Sequence, residues 1–282
     1  MRSCHDLHTH STASDGSLTP GELVRKAAAA GVAALALTDH DTVEGLAEAA
    51  RAAVGAGIAL INGIEISVTW NRCTVHIVGL GIDPDHPGLL AGLRGLRDYR
   101  DRRAEEIGDR LHKAGIPGAL EGARRFAGDG LVSRTHFAHF LAETGRAKNV
   151  QDVFKRYLVR NKPGHVPGDW ASLAEAVGWI LDAGGQAVVA HPARYDMTAT
   201  KLRSMLGEFR ELGGTGIEVV SGSHSLDDYQ VMARLAADMK FLASAGSDYH
   251  GPNNFRIELG HLPSLPASCT PIWHDWPDRR AA

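Results

Sequence analysis

Seven short apolar runs punctuate the chain, and most are separated by stretches where apolar residues return every three or four positions. The first run ends at Leu7, and the others cover 32–37, 58–64, 74–80, 186–190, 216–220 and 241–245. Each has the length of a buried strand, and the intervening periodicity is helical. Punctuation agrees. Thr19, Pro20 and Glu22 make a capping box with proline at the first helical position, and Gly31 ends that helix. A second helix runs to about Gly55 or Gly57, and others are expected over 173–183, 201–212 and 226–239. Strand followed by helix, repeated, implies parallel strands joined by crossovers. The expected fold is α/β, a seven-stranded (β/α) barrel. The alternation breaks from about Asp85 to Trp170, where the pattern is helical, with a long helix over 89–115 and a shorter one over 151–158. The chain therefore divides into a barrel (1–84 and 171–262), an inserted helical subdomain (85–170) and a tail (263–282) without a clear element.

Polar residues fall unevenly on this frame. His8, His10, Asp15, His40, Glu65, His76, His191, Asp248 and His250 all sit at the ends of strand runs, six imidazoles and three carboxylates. Barrel active sites gather at the C-terminal ends of strands. On an extended strand His8 and His10 share a side, a spacing that lets two rings bind one ion. Nine such groups exceed what one ion needs and suit two or three divalent ions. Imidazole and carboxylate without thiolate favour manganese, then zinc, then iron. Blander readings exist for single members: His76 as a core histidine, and Asp15 as a turn residue of the Ser14–Ser17 loop. Of the two acids flanking His40, one can orient its ring, while Asp41 more simply caps the following helix. His5, His86, His112, His261 and His274 read as surface or structural groups, and Tyr249 as packing.

Composition adds less. The 282 residues are 44% hydrophobic and 22% charged, ordinary for a globular protein with a sizeable core. No run approaches the roughly 20 apolar residues that span a bilayer. The N-terminal segment lacks the apolar stretch of a signal peptide, and three scattered cysteines provide no disulfide frame. A cytoplasmic location is expected, without a membrane or an obligate protein partner. The net charge of −3 hides an asymmetry: residues 94–162 carry sixteen Lys and Arg against nine Asp and Glu, leaving the rest strongly acidic. An acidic body can take up cations, and a basic segment beside it can hold an anion.

The ordered set His-x-His, Ser-Asp-Gly, Thr-Asp-His-Asp, Gly-Ile-Glu-Ile, Val-His-Ile-Val-Gly, Ala-His-Pro and Ser-Asp-x-His resembles the PHP (polymerase and histidinol phosphatase) family of metal-dependent phosphoesterases, over nearly the whole chain to about Gly260. The resemblance implies a distorted seven-stranded TIM-like barrel and a trinuclear centre. One ion would be held by His8, His10, Glu65 and Asp248, a second by Asp15, His40 and His250, and a third by Glu65, His76 and His191. Within the insertion, 117–123, 132–138, 153–158 and 164–167 are similar to a subgroup of 3′,5′-nucleoside bisphosphate phosphatases and a bacterial 5′→3′ exoribonuclease, RNase AM. That likeness implies small nucleotides such as adenosine 3′,5′-bisphosphate, or short oligoribonucleotides, as substrates.

The residues suggest a division of labour. Ser133 reads as the N-cap of a helix whose free amides suit a phosphate. Arg134 offers a bidentate grip, and Arg100 and Arg103, one turn apart, complete a clamp, with Lys162 and His165 weaker candidates. The expected nucleophile is a metal-bridging hydroxide attacking phosphorus in line. The leaving-group acid is open among His224, a metal-bound water and solvent. Three rivals stand beside this reading. An exoribonuclease on short 5′-phosphorylated RNA would use the same site, although overall acidity disfavours long duplexes. An amidohydrolase-type deaminase would want a metal-bridging lysine on the fourth strand, which here carries His76. A scaffold would lack ligands, and none is missing.

Overall fold

A computed structural model describes residues 4–252 and 257–276. Residues 1–3 and 253–256 of the expected barrel and 277–282 of the tail lie outside the described residues. Seven strands form one sheet in chain order: β1 (Cys4–Asp6), β2 (Val32–Leu37), β3 (Ala59–Trp70), β4 (Cys73–Leu80), β5 (Gln186–Val189), β6 (Gly216–Ser221) and β7 (Leu242–Gly246). The Leu7 amide donates to the Ala245 carbonyl at 2.9 Å, and Thr9 bridges Tyr249, so the last strand meets the first and closes the barrel.

Closure is possible because the strands are apolar on both faces. Alternate residues of β2 point inward and outward, and from Ala34 to Leu37 all are buried. Leu7, Ala36, Ile61, Val78, Leu80 and Val188 fill the interior, with Ile272 from the tail packed among them. Outside lie α1 (Pro20–Ala29), α2 (Leu46–Ala56), α7 (Leu173–Asp182), α8 (Ala199–Glu211) and α9 (Leu226–Met239). The Thr19 capping box opens α1, and similar boxes at Ser172 and Ser225 open α7 and α9.

Two expectations require correction. The strands are not all parallel, because β4 runs antiparallel to both β3 and β5. And β3 does not stop at Ile64: it continues through Glu65 to Trp70 and turns back at once through Asn71 and Arg72, both left-handed (φ 46° and 64°). Two residues in that conformation form the tight hairpin turn whose twist matches paired strands. Glu65 is therefore in mid-strand. His76 lies in the first half of β4, which the reversal brings to the same end of the barrel as the ends of the parallel strands.

Between β4 and α7 come α3 (Pro87–Lys113), α4 (Ala119–Ala127), α5 (Arg134–Glu143), α6 (Val150–Val153) and a π-helical turn at Phe154–Leu158. The first half of α3 packs on the barrel through Leu89, Leu93 and Leu96. Its second half, through Ala104, Ile107 and Leu111, joins Phe137, Leu141, Val153 and Leu158 in a separate apolar cluster. One long helix thus anchors the basic helices to the barrel.

Candidate metal centre

The nine polar residues read from the strand ends converge at one mouth of the barrel. His8 and His10 follow β1, with their rings 5.0 Å apart between centroids and their Nε2 atoms 3.0 Å apart. Glu65 lies at the centre. Its carboxylate is 2.8 Å from His40 Nδ1, 2.9 Å from His76 Nδ1, 3.2 Å from His191 Nε2 and 3.4 Å from the Nε2 of both His8 and His10. Asp248 Oδ1 lies 3.4 Å from His10 Nε2, and Asp15 Oδ1 lies 3.2 Å from His250 Nε2.

Three sets of ligand atoms each close within 4.8 Å of one another: His8, His10 and Glu65; His10, Asp15, His40 and His250; and His40, Glu65 and His76. The resemblance assigns His10 and His40 to one ion each, whereas here each belongs to two sets. Asp248 and His191 adjoin the sets without entering them.

This donor set fits cations. Among the described residues the His10 Nδ1, Asp15 Oδ1, His40 Nδ1, Glu65 Oε2 and His191 Nδ1 atoms are buried without a well-directed hydrogen bond, since the close approaches of His40 Nδ1 to Glu65 Oε2 and of Asp15 Oδ1 to His250 Nε2 lack the geometry of one. Buried polar groups are seldom left in that state, and three carboxylates out of water need compensating charge. The imidazoles supply part of it. Burial resists ionisation of all three acids, yet the neighbouring rings hold Asp15, Glu65 and Asp248 well below the usual carboxylate range. The rings respond unequally. Burial, with cationic His250 and His40 beside it, pushes His10 down to about 3. Burial opposes charge on His250 as well, but the Asp15 carboxylate prevails and lifts it to about 9.

Backbone conformation carries the same signature. Asp41, His191 and Asp248 adopt positive φ of 51°, 31° and 54°. Such strain in residues other than glycine persists only where surroundings enforce it, often at functional sites.

The supporting groups differ from expectation. Asp41 caps nothing, since α2 starts five residues later behind Gly45. Its Oδ1 accepts from the Ser67 amide at 2.7 Å, and its Oδ2 accepts from Arg100 Nε at 2.7 Å. Asp39 orients no ring but accepts from the Ser11 amide and hydroxyl and from the Ser14 hydroxyl, at 2.6–2.7 Å, shaping the loop that presents Asp15. His224 is unsuited to act as an acid. Its Nε2 accepts from the Ala193 amide and its Nδ1 faces the Val219 carbonyl, both at 3.2 Å, so its ring braces the turn after His191.

The basic residues lie beside this centre. Ser133 caps α5 as expected, and His136 completes the box by accepting from the Ser133 amide at 3.0 Å. The Ser133 and Thr135 hydroxyls also donate to Asp15 Oδ2 at 3.1 and 3.0 Å. Arg100 is engaged by Asp41 and by the Ser67 hydroxyl. Arg103 donates to the Val166 carbonyl, and its Nε is buried without a hydrogen-bond partner among the described residues. Both guanidiniums rest on the Trp170 ring, 4.9 and 5.2 Å from its centroid. The Arg134 guanidinium lies 5.9 Å from the centroid of the Phe154 ring and has no hydrogen bond or ion pair among the described residues. Burial lowers its pKa, as do Arg194 and Arg100 nearby, and burial with Arg134 beside it brings Arg103 down to about 10. Partly buried cations that depress one another in this way are relieved by an anion placed between them.

Sequence reasoning missed Arg194, 3.5 Å from Asp248 Oδ2, and Glu218, which lies behind His8. A carboxylate within the apolar run Ile217-Glu218-Val219-Val220 was the signal for the second.

A cluster of this kind at the mouth of a barrel has the donor set of a metal-dependent enzyme. Residues 6–91 match the PHP domain family, and the chain belongs to that family of metal-dependent phosphoesterases. It is 52% identical over 271 residues to a 3′,5′-nucleoside bisphosphate phosphatase of Chromobacterium violaceum, covering 96% of this chain and 95% of the relative. It is 45% identical over 273 residues to a 5′-3′ exoribonuclease of Haemophilus influenzae, covering 97% and 99%. A solved structure named as an amidohydrolase from Chromobacterium violaceum, with bound sulfate and no metal, matches at TM-score 0.92 and 52% identity, covering 95% of this chain and 94% of that one.

Proposed function

We propose that the enzyme removes the 3′-phosphate of nucleoside 3′,5′-bisphosphates, converting adenosine 3′,5′-bisphosphate to AMP and phosphate. One observation carries the reading: a buried histidine–carboxylate cluster with ligand atoms left out of hydrogen bonds lies next to Arg134, a half-buried cation without a hydrogen-bonding partner among the described residues. The first suits the phosphate that is cleaved, the second the phosphate that is kept. The 52% identity with a bisphosphate phosphatase supports the assignment.

The proposed ligands are His8, His10, Asp15, His40, Glu65, His76, His191, Asp248 and His250, sharing two or three ions. The absence of thiolate favours manganese, with zinc or iron as alternatives. Bound there, divalent ions supply a nucleophile from water near neutral pH and offset charge at the phosphoryl group. The chain's own part is positional. Glu65 joins the sets of ligands, and Ser133 and Thr135 hold Asp15. Arg134, with Arg103 beside it and Arg194 on the far side, orients the second phosphate. Arg100 is committed to Asp41, so we leave it out of the clamp. Correct placement of a bound phosphate lowers the barrier by limiting the motions to be frozen in the transition state.

The 45% identity with an exoribonuclease supports a second reading, in which the same arginines hold the 5′-phosphate of a short RNA. Phosphate or nucleotide release with added manganese separates them, comparing a nucleoside 3′,5′-bisphosphate, a 5′-monophosphate and a 5′-phosphorylated short RNA. Fastest turnover of the bisphosphate is expected. Turnover of RNA alone would transfer the assignment to the second reading, and deamination without phosphate release would remove both.

A further inference from the structure

We infer that Glu218 is a positioning residue for the metal centre, locking the His8 ring and the His191 backbone into one arrangement. This rests on the metal-centre reading above. Glu218 is 1% exposed on β6, in the barrel wall. Its Oε1 lies 2.5 Å from His8 Nδ1, and its Oε2 accepts from the His191 amide at 2.7 Å. A carboxylate only accepts, so the proton between Oε1 and His8 sits on Nδ1. That fixes the tautomer in which Nε2 presents a lone pair towards His10, Glu65 and Asp248. A ligating histidine commonly needs such a partner on its other nitrogen, and losing it typically costs 10–100-fold in metal affinity.

Two further features fit this role and no simple packing role. His191 holds a left-handed φ of 31°, and the Glu218 contact is made by its own amide. Gly246 faces the pair, and a Cβ there would lie 2.2 Å from His8 Cβ and 3.1 Å from Glu218 Oε1. The wall is cut away where the ring and carboxylate meet. Both Glu218 oxygens are used as acceptors, so glutamine, with one acceptor and one donor, serves only one of the two N–H groups.

The test is manganese titration of Glu218→Gln against wild type by calorimetry, with metal content by elemental analysis and folding checked by circular dichroism. Roughly tenfold weaker binding of at least one ion is expected. The kcat should fall at limiting manganese and recover at excess, while KM changes little. A folded Glu218→Gln with wild-type affinity and stoichiometry would overturn the assignment. Should that variant not fold, the wild type still decides: in the zinc-loaded protein, nitrogen NMR of the histidine rings should report His8 protonated at Nδ1, and a proton on Nε2 refutes the role. If wild type binds no ion, the metal-centre reading itself falls and takes this assignment with it.

Discussion

Replacing Arg100 with methionine should cost stability before it costs catalysis. The Arg100 guanidinium is buried on Asp41, itself fully buried, and also holds the Ser67 hydroxyl. Methionine keeps an apolar stem beside Trp170 but leaves the Asp41 carboxylate with the Ser67 amide as its remaining donor among the described residues. Removing one partner of a buried pair typically costs about 3–5 kcal/mol, because a charge stays buried without compensation. For a chain of this size that corresponds to a fall in Tm of roughly 10 °C. Converting Asp41 to asparagine in the same chain removes the stranded charge, so the double variant should recover at least about 2 kcal/mol relative to the sum of the singles. Urea denaturation of the metal-free single and double variants measures that coupling, and steady-state kinetics measure KM. If Arg100→Met loses less than about 0.5 kcal/mol while KM for the bisphosphate rises tenfold, the pair is not structural and Arg100 belongs to the substrate clamp.

Arg134→Ala should raise KM for a 3′,5′-bisphosphate by at least tenfold and change that for a monophosphate little; equal effects on both would remove Arg134 from the clamp. His191→Ala should lower the metal content of the purified protein, and full occupancy by elemental analysis would exclude it as a ligand. Asp6 offers a pH test. Burial raises its pKa to about 6 from 3.8, despite the Ser247 amide donating to it. Between those values the folded state holds a proton that the unfolded state releases. Stability present at low pH is therefore lost as pH rises through about 6, by about 3 kcal/mol for two pKa units. Metal-free Asp6→Asn should lack that part of the slope between pH 4 and 7, and parallel profiles for the two proteins would contradict it.

Much of this was legible in the sequence because apolar periodicity records burial directly. The interval 32–37 emerged as β2 without adjustment, and 226–239 as α9. Strand direction is not written in periodicity. It is written in connection length, and the two residues between β3 and β4 are too few for the dozen or more that a parallel crossover requires. Attention to Asn71 and Arg72 would have revealed the reversal. The ligand candidates were visible because imidazoles and carboxylates are rare at the ends of buried strands. Their supporting partners were not, since the contacts of Asp39, Asp41 and Glu218 bridge 25 to 59 positions or more and depend on three-dimensional closure. The same reason hid the bracing role of His224, whose ring is occupied by backbone from another loop.

The bonds from Ser133 and Thr135 to Asp15 bear on how such an enzyme can change its diet. A helical segment laid over a finished centre could be exchanged for another without consequence below it. Here the segment proposed to choose the substrate also furnishes two hydroxyls to Asp15, a proposed ligand of the centre. Any replacement, natural or engineered, must bring a hydroxyl to the same carboxylate, or the new preference will arrive in an enzyme that holds its ions less well.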